Sequence, residues 1–396
     1  MIRETSQTPL VEIEARQLSP ELPAELRALQ IFVREPQGRT IRLYAVGDVG
    51  FCGELAHPGT EAWAEVGPLL RSGDLTFANL ETPMVPSKDP PASPFVAPGE
   101  AAPRLRRGGF QVLSLANNHI ADAGSAGVLS TLEAVRSLDI AAVGAGADGE
   151  DPGRLVVTER SGLRVGWLAC ARTHQTQEPG ASFWELEGDA LLAAARRHRD
   201  EVDVLVVSIH WGYMYVDYPD PSHRTLALEL LAAGVDLVLG HHAHVLQGVE
   251  TGPGGGVVCH NLGNFLLDWR AGEASTGPQE EQRRGAVMVI DLDRAGVQRL
   301  AALPIRVDDD WIVRWATGEN GRATIDRLRR ISHDLGGDFE AEFFRQRAER
   351  NTGLTLGMIG RRLRRGDLRP VLALLPRLRP RHGVMLFRWV VKKIVP

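Results

Sequence analysis

Between Val235 and His244 the chain reads V-D-L-V-L-G-H-H-A-H, which puts His241, His242 and His244 within four positions. Imidazole is the commonest protein metal ligand and the side chain that titrates nearest neutral pH, so the cluster suits a cation site or proton transfer. The apolar run before it is short enough for a strand buried on both faces. The histidines then fall at its C-terminal mouth, where open α/β sheets place their chemistry. A solvated His-rich loop is the alternative, but three such residues at one strand end argue for a site.

The same kind of composition recurs at four other strand ends. Asp48 follows I-R-L-Y-A-V, and Asn79 and Glu81 close D-L-T-F-A-N-L-E-T-P. Asn117, Asn118, His119 and Asp122 follow F-Q-V-L-S-L, and His210 with Trp211 ends V-D-V-L-V-V-S-I-H-W-G. Carboxylate and amide oxygens mixed with imidazoles suit one or two divalent cations such as Mn, Fe, Zn, Mg or Ca. Taken singly, Asp48 or Asn79 could cap a turn; repetition at successive strand ends is the signal. Asp122 stands three residues after His119, close enough to orient its ring and raise its basicity.

The elements that position these residues are legible from periodicity. Residues 1–39 form a polar arm with weak periodicity, and Pro23 to Leu29 reads as a short helix with proline at its first position. A strand begins at Ile41, a helix is expected over Thr60 to Arg71, and a strand over Leu75 to Leu80. Pro83 to Pro103 turns to Pro, Ala and Ser, a surface loop that is either a lid over the site or a passive excursion. Further helices are expected over Gly127 to Leu138, Asp189 to Arg199 and Ser222 to Ala233. Between them lie I-A-A-V-G and a hairpin turning at Ser161-Gly162. G-V-V-C, R-G-A-V-M-V-I-D-L-D and V-Q-R-L-A-A-L-P-I-R-V read as later strands. Strands that alternate with helices early and pair directly later suggest two packed sheets flanked by helices, an α/β protein.

The 396 residues suffice for one large domain with appendages, read as an arm over 1–39, a catalytic domain over 40–307 and a basic helical extension over 308–396. The net charge of −5 gives no global reason to expect nucleic acid as a partner. Cys52, Cys170 and Cys259 are widely spaced and without a CxxC pattern, which argues against a disulfide scaffold and a Cys-based zinc site. Neither a signal peptide nor a run of about 18 apolar residues is visible, so a cytoplasmic location is expected. For the basic C-terminal stretch three readings stand: a helix packed on the core, a helix on an anionic membrane surface, or a docking site for a partner.

G-D-V-G-F, N-L-E-T-P, L-A-N-N-H-I-A-D-A-G, H-W-G, G-H-H-A-H-V-L-Q-G-V-E and N-L-G-N-F-L-L-D, in that order over about residues 41–305, together resemble the poly-γ-glutamate capsule synthesis (CapA-type) proteins. These belong to the calcineurin-like metallophosphoesterase superfamily. The resemblance implies a four-layer α/β/β/α sandwich with a metal site at the strand ends. It assigns Asp48, Glu81, Asn118, His210, His242 and His244 as metal ligands and His119 as general acid or base, oriented by Asp122. For His241 it leaves a structural hydrogen bond as the expected role. Two positions depart from the pattern: Gly50 stands where the wider superfamily has His, and Met214 where capsule-type relatives have Glu. Capsule proteins also carry an N-terminal membrane anchor, which this chain is expected to lack.

Two reactions follow from the resemblance. One is hydrolysis or ligation at phosphate or an amide, with His119 protonating the leaving group, or a role in capsule synthesis. The other is cofactor-free epimerisation, similar to that of the CapA-like enzymes that invert the C-terminal residue of a lasso-peptide precursor. There the acid–base work would fall to His119, Asp122, His210 and His242. The departures favour this second reading, with a peptide substrate and a leader-peptide-binding partner. Trp211, Tyr213, Tyr215 and Tyr218 would either suit a peptide end or simply pack.

Overall fold

V-L-V-V-S-I-H, residues Val204–His210, is buried at every position, as a strand covered on both faces requires. V-E-I-E, Val11–Glu14, is largely exposed and closes a sheet edge. Between these extremes the computed structural model describes residues 10–56, 62–86, 93–173, 177–252, 254–268 and 279–364, with side chains up to residue 352.

The larger sheet runs in the order Val11–Glu14, Arg27–Val33, Gly296–Val307, Arg284–Asp293, Ile41–Val49, Leu75–Leu80, Val112–Ser114, Ala141–Val143. Val313–Trp315 adds to Gly296–Val307, and Asn264–Leu266 pairs in parallel with Ile41–Val49. The smaller sheet runs Val156–Arg160, Leu163–Ala171, Val204–His210, Leu237–His241, Val257–Cys259, Val249–Thr251. The strands of both sheets that carry candidate residues are parallel to their neighbours there, so their polar ends emerge together.

The two sheets share one core. Leu43, Phe77 and Met288 of the larger meet Trp167, Val206 and Leu239 of the smaller, and the Phe77 and Trp167 rings stack at 5.4 Å. On the outer face of the larger sheet, Trp63, Leu70, Leu105, Val128 and Leu132 bring helices Gly67–Ser72, Pro103–Gly108 and Gly124–Ser137 onto it. Leu191, Ala195, Ala227 and Leu230 do the same for Gly188–His198 and Pro221–Ala232 on the smaller sheet. The four-layer α/β/β/α arrangement expected from the resemblance is present.

Several expectations are corrected. Pro23 to Leu29 forms no helix: Arg27–Val33 is a strand whose Leu29 and Phe32 pair with Ala302 and Leu300. Within the stretch read as an arm, Val11–Glu14 and Arg27–Val33 pair with each other in the larger sheet. Sheet pairing overrides the helix propensity of that stretch. The helix expected from Thr60 is observed as Gly67–Ser72, while Thr60 itself lies outside the described residues. The chain divides into one compact unit over Met1–Phe339 and a second over Glu340–Pro396. Helix Gly318–Asp334 buries Ile325, Leu328 and Ile331 and packs on Arg27–Val33 and Gly296–Val307. In the other unit, helix Glu340–Arg364 carries Arg345 paired with Glu342 and Glu349. The basic tail beyond residue 364 lies outside the described residues.

Candidate metal centre

A register shift in the pairing of Ile41–Val49 with Leu75–Leu80 lies between Ala45 and Asp48, so three residue steps on one strand match two on the other. Such a bulge re-aims the side chains beyond it, and it leaves Asp48 flanked by Asn79 on one side and Asn264 on the other. At Gly47 and Gly240 neighbouring backbones approach closely. A Cβ there would lie 1.9 Å from the Gly263 oxygen and 1.8 Å from the His260 oxygen, respectively. On neighbouring parallel strands of the smaller sheet, His210 and His241 are register partners. His242 and His244 follow with φ of 90° and 57°. Left-handed backbone at two non-glycine residues costs free energy and persists only where the surroundings enforce it, commonly at functional sites.

Asp48 is fully buried and has both oxygens engaged. Its Oδ1 accepts from Asn79 Nδ2 at 2.9 Å and contacts His241 Nδ1 at 3.1 Å. Its Oδ2 accepts the His242 N–H at 3.3 Å and lies 3.4 Å from His244 Nδ1. Burial opposes ionisation, but the hydrogen bonds from His241 and His244 hold this carboxyl well below its usual range. The hydrogen bond expected of His241 is present, and its ring lies against Phe77.

In front of Asp48 five donor groups converge. His210 Nε2 lies 2.6 Å from Asn118 Oδ1, 3.1 Å from His242 Nδ1 and 3.8 Å from Glu81 Oε1. His244 Nε2 is 3.6 Å from Glu81 Oε1, and Glu81, His242 and His244 can offer one ligand atom each within 4.8 Å of one another. Adjacent ligands on a small octahedral ion held at ~2.1 Å stand about 3 Å apart, the spacing seen among the closest of these atoms. Glu81 is 1 % exposed, yet its Oε2 has no hydrogen-bond partner among the described residues. Burial and the charge of Asp48 push this carboxyl well above its ordinary range, and a buried orphaned carboxylate oxygen is costly. A divalent cation would resolve the conflict and invert the local titration behaviour. The residues present therefore fit a metal ion. His210 and His242 suit neutral ligands, because burial and neighbouring imidazoles hold both down, His242 to about 3. His244 differs: burial lowers it, but Glu81 and Asp48 outweigh that and carry it to about 9.

His119 stands apart from this cluster. Its Nδ1 lies 2.9 Å from Asp122 Oδ2, and its backbone N–H is held by Asn117 Oδ1 at 3.1 Å. The fold thus gathers five of the six ligand candidates, Glu81, Asn118, His210, His242 and His244, around one point and puts the His119–Asp122 pair next to it in sequence, through Asn118. Asp48 sits behind the cluster, with hydrogen bonds filling both oxygens. Two departures from the family pattern have local explanations. A Cβ at Gly50 would meet Leu267 Cδ1 at 2.5 Å and Thr82 Cγ2 at 2.8 Å, and Met214 packs against Tyr215, Ala243 and Val245. Of the aromatics after His210, Trp211, Tyr215 and Tyr218 are buried. Trp211 stacks on His223, and Tyr218 donates to Asp334, so these rings pack the core.

Sequence reasoning gave no role to Asn264, whose Oδ1 meets His244 Nδ1 at 3.0 Å. The available signal was a polar residue inside the apolar run N-L-G-N-F-L-L-D. It also missed Ser93 and Phe95, which contact Asp122 and His119.

The fold is a layered α/β sandwich with imidazole, carboxylate and amide groups gathered where its strands end. The model of the family described as bacterial capsule synthesis protein PGA_cap matches residues 42–269, and the chain belongs to that family. It is 29 % identical over 287 residues to the capsule biosynthesis protein CapA of Bacillus anthracis, covering 67 % of this chain and 69 % of that protein. To the PGA biosynthesis protein CapA of Bacillus subtilis it is 28 % identical over 260 residues, covering 62 % and 64 %. Among solved structures it is similar to a phosphatase of Mycoplasma pneumoniae (14 % identity, TM-score 0.45, 68 % of this chain and 95 % of that one). It is also similar to a 5'-nucleotidase of Candida albicans (10 % identity, TM-score 0.41, 78 % and 61 %). Among the described residues no helix is long and apolar enough to cross a membrane.

Proposed function

We propose that this protein is a metal-dependent acid–base enzyme acting on a peptide-like chain, in which His119 transfers the proton. The observation that carries this reading is the His119–Asp122 contact of 2.9 Å next to the ligand candidate Asn118. Asp122 accepts from Nδ1, which leaves Nε2 as the nitrogen that exchanges a proton with substrate. Glu81, Asn118, His210, His242 and His244 would hold the ion, and Asp48 would hold the His ligands in place. A divalent ion bound there polarises a carbonyl and makes a bound water more acidic. That the substrate is peptide-like is supported by the names of the relatives, which refer to capsule and PGA biosynthesis.

Of the two expected reactions, hydrolysis uses one acid–base group, and the site supplies it in His119. Two-base epimerisation needs a second, independent group on the opposite face. The other imidazoles are committed: His241 and His244 contact Asp48, while His210 and His242 lie 3.1 Å from each other. This geometry favours hydrolysis. Epimerisation is the second reading, supported by the crowding at Gly50 and the apolar packing of Met214, which both weaken a two-metal hydrolytic centre.

The deciding experiment incubates purified protein in D2O with a γ-linked glutamate trimer and an α-linked tripeptide, with and without EDTA. Mass spectrometry and chiral amino-acid analysis read the products. Cleavage lost under chelation supports hydrolysis. A gain of one deuterium with inversion supports epimerisation, and neither product on any peptide sinks the peptide reading.

A further inference from the structure

Ser93 and Phe95 lie in the Pro-, Ala- and Ser-rich stretch after Glu81, far in sequence from the His119–Asp122 pair. The fold closes a ring of contacts between them. Ser93 Oγ donates to Asp122 Oδ2 at 2.7 Å, the oxygen that also meets His119 Nδ1. The same Oγ accepts the Phe95 N–H at 3.2 Å, and the Phe95 ring stacks on the His119 imidazole at 4.1 Å and 26°. The described residues of this stretch are themselves anchored. Ala97 N–H donates to the Pro83 oxygen at 2.8 Å, Met84–Val85 pairs with Ala97–Pro98, and Phe95 packs with Cys52 and Leu267.

We propose that Ser93 and Phe95 are positioning residues for the proton transfer: Ser93 fixes Asp122, Phe95 fixes the plane of the imidazole, and together they keep Nε2 as the reacting nitrogen. This rests on the reading of His119 as the proton-transfer group. The chemistry is direct. A carboxylate oxygen that receives a hydroxyl donor is held in one rotamer and accepts the Nδ1 proton in one direction. A stacked ring resists rotation of the imidazole and is attracted to it when it is cationic. Neither residue has to touch substrate.

The test uses the full chain labelled with 15N-histidine and treated with EDTA. Long-range proton–nitrogen spectra are recorded at one pH, with the His119 signals assigned by His119→Gln. The expected result is an Nδ1-protonated tautomer in the wild type, a mixture of tautomers in Ser93→Ala, and recovery in Ser93→Thr. Phe95→Leu should broaden the His119 signals, and Phe95→Tyr should not. In the D2O assay with the peptide that turns over, Ser93→Ala should lower kcat roughly tenfold with KM unchanged. His119 spectra of Ser93→Ala and Phe95→Leu that superimpose on the wild type would overturn the proposal. So would altered spectra with an unaltered kcat. If no peptide is turned over even by the wild type, the catalytic reading fails, and the spectra alone then decide whether these two residues hold the ring.

Discussion

The side chains of Glu81 and His210 are each 1 % exposed and that of Asp48 is 0 %, whereas His119 keeps 18 % and Asp122 13 %. The first group is locked by main-chain architecture: a bulge before Asp48, backbones in contact at Gly47 and Gly240, and left-handed residues at His242 and His244. The second sits on a turn in which Asp122 N–H donates to the His119 oxygen at 2.9 Å, and its ring is oriented by side chains, Asp122 and Ser93 through hydrogen bonds and Phe95 through stacking. A buried set of opposed charges is a device for holding an ion. A half-open imidazole with one nitrogen tied suits proton exchange. The two regions adjoin at Asn118 and His119 but are built for different work, and substitutions should separate them.

The largest separation is expected in metal affinity. His244→Ala or Glu81→Ala should weaken Mn2+ or Zn2+ binding, measured by calorimetry, about a hundredfold or more, since each removes a donor from the converging set. Gly240→Ala tests the main-chain half of the comparison. Its Cβ would lie 1.8 Å from a backbone oxygen, so chemical denaturation should show a loss of about 1–3 kcal/mol or more. A cost near zero would mean that the strands there are not locked.

A smaller effect is expected from pH. In the metal-free chain His244 is raised to about 9, so it carries a proton below that value and must release it to bind a cation. Affinity should therefore climb roughly tenfold per pH unit from neutrality towards about 9 and then level off. The same raised value makes His244 stabilise the metal-free fold fully below its ordinary range, a contribution lost as the pH rises through about 9. Affinity that is flat over that interval would contradict the assignment of His244. The smallest effect belongs to the other region: Ser93→Ala should leave Mn2+ affinity within about twofold, because Ser93 bonds only the Asp122 side of the site.

The two regions also differed in how legible they were in the sequence. Asp48, Glu81, Asn118, His210, His242 and His244 each close an apolar run, and period-two or continuous hydrophobicity locates such runs from local sequence alone. What stayed hidden was long-range. Ser93 and Phe95 announce themselves only as a polar, proline-rich loop, a composition that marks a surface excursion without saying what it touches. The strand Arg27–Val33 was misread as part of a helix because Pro23 and its neighbours suit a helix start, and nothing local reports that Gly296–Val307 lies beside it. Asn264 was quoted within its motif, but its contact with His244 depends on a parallel pairing with Ile41–Val49 that only the fold reveals.

The measurement that tests the account most directly is Mn2+ titration of wild type, His244→Ala and His119→Ala, followed by the D2O assay on the same samples. The account predicts that His119→Ala binds metal within about threefold of wild type yet has lost turnover, while His244→Ala has lost both. Full turnover in His119→Ala, or a loss of metal equal to that in His244→Ala, would contradict the division of the site into an ion-holding and a proton-moving half.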